Sequence, residues 1–186
     1  MPKSTDSSGR ADGVPKGAAG SVVHTLDVLV QGATVDLFRT YGLAVAPMPK
    51  RRANARVGHS GDLVGSIRFA GSGATGTLSL VISPELVQQT RTSELRTFQA
   101  VDWTRELVNQ LMGRLKNRLL RYQVLVQAEL ASASLRAGKV VFEQGDLYPF
   151  RTLRGEISVV LASSLDGARF SYSMMDLGSE GDLMLF

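Results

Sequence analysis

The chain has 186 residues, a length that suits one domain with a tail, and its 44% hydrophobic content suffices for a core without a metal or disulfide staple. The absence of cysteine excludes a cysteine nucleophile or thiolate metal site and fits a reducing compartment. A net charge of +4, from 21 Lys and Arg against 17 Asp and Glu, allows a nucleic-acid surface or a face shaped for an acidic protein partner, so the placement of the cations matters more than their sum.

Residues 1–20 read as a disordered leader of Lys, Ser, Asp and Gly with little to bury. The leader lacks the apolar core of a signal peptide, and no apolar run reaches the roughly 18 residues needed to span a bilayer. The expected setting is therefore the cytoplasm, without membrane association.

The domain is expected over 21–178, with a tail at 179–186. From Val22 to about Val45, apolar residues recur mostly every three or four positions, which predicts a helix weakened in its middle by Gly32. Ala46 to Ser60, with Pro47, Pro49, Lys50, Arg51, Arg52 and Arg56, reads as a basic loop leading into a short strand. Asp62–Phe69 and Thr77–Ile82 alternate as strands, and the glycine-rich Ala70–Gly76 between them reads as the hairpin connection.

Ser83-Pro84-Glu85 starts a short helix to Thr90, with Ser83 as cap. Val101–Tyr122, free of proline, predicts a long helix. Strands are expected at Val124–Leu130 and Lys139–Glu143. A final hairpin is expected from Ile157–Leu161 and Arg169–Met175, turned at Leu165–Ala168. The order predicts an α+β fold: a mostly antiparallel sheet with two long helices packed on one side.

On a wheel at about 100° per residue, Trp103, Leu107, Val108, Leu111, Met112, Leu115, Leu119 and Tyr122 form a broad apolar stripe on the long helix. Glu106, Asn109 and Gly113 fall near the opposite side. A spacing of three sets the Glu106 carboxylate beside the Asn109 carboxamide. An exposed glycine inside a helix costs roughly 1 kcal/mol against alanine, and no core packing repays that cost. Its remaining use is to let another backbone approach the pair. Arg105, Lys116 and Arg121 border this face, and Leu120 intrudes on it as a contact residue would.

The string Glu106-Leu107-Val108-Asn109-Gln110-Leu111-Met112-Gly113 resembles the E-L-x-N-x-x-x-G helix of the CheC, CheX and FliY chemotaxis phosphatase family. The hairpin from Gly61-Asp62 to Gly76-Thr77, followed by Ser83-Pro84-Glu85, is similar to that family as well. CheC and FliY members carry a second pair on the first helix. Here that helix offers Asp27, Gln31 and Asp36 but no ExxN, so the chain resembles CheX. Two departures are Arg114 after the glycine and a missing proline in Ala131–Ser134.

The resemblance implies a phosphatase for the phospho-aspartate of a CheY-like response-regulator receiver in two-component signalling. Asn109 would orient the attacking water and Glu106 would pair with the receiver's lysine. The receiver would bring the Mg2+, and the chain would need no cofactor or metal ligand of its own. Arg105, Gly113, Lys116 and Leu120 would join Glu106 and Asn109 in docking. The resemblance also implies homodimers formed through sheet edges. A catalytically inactive CheX-like module that only docks on a receiver, and a nucleic-acid binder, are the alternatives.

Other signals read as structural. The run Gly71–Gly76 lacks the Gly-Lys-Ser/Thr ending of a phosphate loop. His24 and His59 are expected to lack carboxylate or histidine partners at metal spacing. Glu85 and Gln88 repeat the spacing of the pair on a shorter helix, and Glu85 is explained by its first-turn position. Lys50–Arg56 has no interleaved aromatics, so a solvated loop is the expectation and nucleic acid is not an expected partner.

Overall fold

The computed structural model describes residues 16–52, 56–91 and 96–165. It contains α1 (Lys16–Thr40), β1 (Ala46–Pro47), β2 (Arg51–Arg52), β3 (Arg56–Val57), β4 (Leu63–Ser72), β5 (Ala74–Ile82), α2 (Pro84–Gln89), α3 (Thr97–Leu120), β6 (Leu125–Ala128), β7 (Ser132–Leu135), β8 (Val140–Val141), β9 (Asp146–Thr152) and β10 (Gly155–Leu165). The main sheet runs β1-β9-β10-β5-β4-β6, with β2 also on β9 and β7 also on β4. Every pairing in it is antiparallel. The fold is α+β, as the element order predicts.

Alternation along the strands divides the buried residues between two faces. Leu63, Ile67, Leu78, Leu80, Val159 and Leu161 join one core with the apolar sides of α1, α2 and α3. On the opposite face Val64, Val81, Leu147 and Val160 form a smaller core with Val57, under the β3–β8 ribbon. The α3 helix seats on the sheet over Gly65. A side chain at that position would meet the Thr104 backbone oxygen at 3.1 Å and Val108 Cγ1 at 3.2 Å. The missing Cβ lets the helix lie close, and it fixes which side of α3 faces away.

Several boundaries differ from the sequence expectation. The first helix begins at Lys16, inside the stretch expected to be a leader, and it ends at Thr40, well before Val45. The segment expected as a basic loop carries three two-residue strands. The glycine-rich connection is largely strand: β4 and β5 continue to the Gly71–Ala74 pair, leaving Ser72 and Gly73 as the turn. Gly73 has φ +91°, a conformation that favours glycine. The Val124–Leu130 strand is shorter, and β7 follows it unforeseen.

The final hairpin is a correction. The strand expected at Ile157–Leu161 is the centre of β10, and both its edges are taken, by β9 and β5. Its hairpin partner is thus the preceding strand β9, which the sequence reading missed. The strand expected at Arg169–Met175 and the tail at 179–186 lie outside the described residues.

Candidate functional site

Helix α3 carries the candidate site, and its two sides differ in burial. Leu107, Val108, Leu111, Met112, Leu115 and Leu119 are buried, together with Ala100 and Thr104, which extend the stripe the sequence predicts. Trp103 and Tyr122, expected within it, pack at its margin and are half-buried. Glu106, Asn109 and Gly113 are exposed on the other side. Thr104 satisfies its buried hydroxyl by donating to the Ala100 carbonyl at 2.8 Å.

The exposed pair differs in how each member is held. Gln110 Nε2 donates to Glu106 Oε1 at 2.9 Å, and the Tyr41 hydroxyl donates to Gln110 Oε1 at 2.7 Å. Asn109 has no hydrogen-bond partner among the described residues, so its carboxamide faces solvent with donors and acceptor unused. A Cβ built at Gly113 would meet nothing within 4 Å. Among the described residues nothing requires glycine there, as the expectation of an open approach to the pair demands.

The surrounding cations divide into two sets. Arg114 turns to α1, where it donates to Thr40 Oγ1 at 2.9 Å, and Arg118 pairs with Asp36. Arg105 pairs with Asp102 at 2.8 Å on the exposed surface. Lys116 has no carboxylate partner among the described residues and stands exposed near Gly113. Leu120 is 53% exposed. The residues expected to dock a partner thus share one side of α3, although Arg105 already has a partner of its own.

The sequence reading missed Tyr41 and gave Gln110 no role. The four-residue step from Glu106 to Gln110 could have signalled their contact; Tyr41, 69 positions away, could not. The first helix supplies no second pair. Asp36 and Thr40 are engaged by α3, while Asp27 accepts from Lys50 and from the Tyr148 hydroxyl, each at 2.8 Å.

Away from α3, Glu85 sits in the first turn of α2. Hydrogen bonds from its own backbone N–H and from Ser83 hold its carboxyl below the usual carboxylate range. His59 corrects one expectation, because its Nδ1 lies 3.7 Å from Asp62 Oδ2. No three His, Asp or Glu side chains converge on a metal-sized space among the described residues. No described helix is long and apolar enough to cross a membrane. Clefts of about 590 Å³ beside Pro84 and Ala100, and about 420 Å³ beside Arg52 and Asp146, are lined by other residues than the exposed pair.

No family model matches the sequence, and no curated protein matches it. Solved structures do match the fold, among them CheC-like and CheX chemotaxis proteins and a FliY. A CheC-like superfamily protein from Shewanella sp. PV-4 superposes with a TM-score of 0.67 at 15% identity, over 75% of this chain and 97% of that one. The chemotaxis protein CheX from Desulfovibrio desulfuricans gives 0.63 at 17% identity, over 77% and 99%. A chain of the CheX–CheY–BeF3–Mg2+ complex from Borrelia burgdorferi gives 0.54 at 12% identity, over 76% and 97%. The chain has the CheC/CheX-like fold.

Proposed function

We propose that this chain is a CheX-like phosphatase that hydrolyses the phospho-aspartate of a CheY-like receiver domain in chemotaxis or related two-component signalling. The observation that carries the reading is the exposed Glu106–Asn109 pair on α3, with open space at Gly113, on a fold shared with CheX proteins. A convex helix face suits insertion into a partner's pocket better than capture of a small molecule.

In the proposed complex Glu106 pairs with the receiver's lysine and sets the register. Asn109 holds a water in line with the acyl phosphate. The water oxygen bonds to phosphorus as the bond from phosphorus to the aspartyl oxygen breaks. Free aspartate and inorganic phosphate result, and the water's proton passes to phosphate or solvent. The receiver supplies the Mg2+ that neutralises the phosphoryl oxygens. This chain contributes positioning, which dominates phosphoryl transfer.

Arg114, one of the two departures from the family pattern, points to α1 and leaves the approach to Asn109 clear. That favours an active enzyme over a docking module. The test is the decay of a phosphorylated receiver with wild-type protein and with Asn109→Ala. Acceleration by wild type, reduced about 100-fold in the variant, supports the reading. Equal decay with and without protein overturns it; binding that Glu106→Ala weakens, without acceleration, would leave the docking module in its place.

A further inference from the structure

We infer that Tyr41 and Gln110 are positioning residues that hold the Glu106 carboxylate in the orientation it presents to its partner. Glu106 lies on an exposed helix face, where a glutamate side chain ordinarily samples many rotamers and loses them on binding. Here one carboxylate oxygen accepts from Gln110 Nε2 at 2.9 Å. That contact alone would be a common four-residue helix pair of small worth. The Gln110 amide, however, is itself fixed from outside the helix, because the Tyr41 hydroxyl donates to its Oε1 at 2.7 Å. With its oxygen engaged by Tyr41, the Gln110 amide directs its N–H groups at Glu106.

Tyr41 is in turn well anchored. Its ring meets the Trp103 ring edge-on, with centroids 5.6 Å apart and planes at 79°. Trp103 is held by its indole N–H, which donates to Thr90 Oγ1 at 2.7 Å, and by the Arg91 guanidinium 4.4 Å from the ring centroid. Thr90 caps the end of α2. A chain of defined contacts thus runs from the end of α2 through Trp103 and Tyr41 to the carboxylate. Asn109, one turn from Glu106, receives no such support. The asymmetry fits their roles: a docking carboxylate gains from being held before the partner arrives, whereas a water-orienting amide completes its hydrogen bonds only in the complex.

The inference rests on the reading of Glu106 as the docking residue, and two measurements keep the two ideas apart. The first uses the free protein. Tyr41→Phe removes only the hydroxyl and keeps the ring against Trp103. It should move the NMR signals of the Gln110 side-chain amide and the Glu106 carboxyl carbon while leaving those of the Asn109 amide in place. Unmoved Gln110 and Glu106 signals overturn the inference, whatever the protein binds.

The second uses a CheY-like receiver activated with beryllofluoride and Mg2+. Tyr41→Phe and Gln110→Met should each weaken binding about 2–10-fold, the range expected when one side chain must be ordered anew. With the phosphorylated receiver the loss should fall on KM and not on kcat. In a Glu106→Ala background Tyr41→Phe should have no further effect; an equal effect in both backgrounds overturns the inference. If wild type fails to bind any activated receiver, the proposed function fails, and the NMR result alone decides whether Tyr41 orders Glu106.

Discussion

Arg118 of α3 crosses α1 at Gly32. A Cβ on Gly32 would lie 3.1 Å from the Arg118 Nη1, and the same guanidinium pairs with Asp36 one turn along. The glycine that weakens α1 as an isolated helix is therefore the notch through which α1 and α3 are clamped.

Gly32→Leu should fill that notch and force the guanidinium away from Asp36. The expected loss is about 1–2 kcal/mol, because overpacking outweighs the gain in helix propensity. Arg118→Ala in the same background should recover part of it. Urea unfolding of the two single variants and the double variant measures the coupling, and additive losses would contradict the clamp.

Gly113→Ala makes the opposite demand. The space there is open, so the substitution should stabilise the protein by about 0.5–1 kcal/mol. Docking on an activated receiver should nevertheless weaken. Higher thermal stability with poorer binding is the expected signature, and unimpaired binding would remove Gly113 from the docking surface.

Tyr148 should give the protein an alkaline limit. Burial, first, and its hydrogen bond to Asp27 push the phenol well above its ordinary value of 10.0. A group whose proton is held more tightly in the folded state gives stability that is complete below the unfolded value and is lost as pH rises past it. Stability should thus decline above about pH 10. Tyr148→Phe should cost about 1 kcal/mol near pH 7, where the Asp27 hydrogen bond is lost, and should flatten the alkaline decline. Urea midpoints at pH 7, 9 and 10.5 would reveal it; parallel curves for wild type and variant would count against the assignment.

The β6–β7 edge should carry a homodimer. The outer sides of β6 and β7 have no strand partner among the described residues, and Leu125, Leu130 and Leu135 are exposed along them. The Glu129 N–H bonds inward to Arg68, so strand alternation turns the Ala128 N–H outward. Ala128→Pro should leave the sheet intact and convert dimers to monomers in sedimentation. Monomeric wild-type protein would refute edge pairing.

What the sequence revealed follows from the range of each interaction. The stripe of α3 and the exposed Glu106–Asn109 pair were legible because a helix repeats locally. Ser83 declared the start of α2 for the same reason, and its hydroxyl accepts from the Leu86 N–H at 3.3 Å. Strand β9 was hidden by Pro149, which argues against a strand interior. The Pro149 carbonyl accepts from Met48 N–H, so the edge lacking a donor faces the irregular segment around β1 and β2 instead of β10. The roles of Gly32 and Tyr41 depend on α3 residues far along the chain, and no local pattern announces them.

The clamp also limits valency. Its contacts draw Asp36 and Thr40 of α1 toward α3, where Arg118 and Arg114 occupy them. Those two α1 positions are thereby taken up within the fold and present no second pair. On the proposed function, α3 alone would offer a ledge to a phosphorylated receiver, and a gain in avidity would have to come from joining copies together.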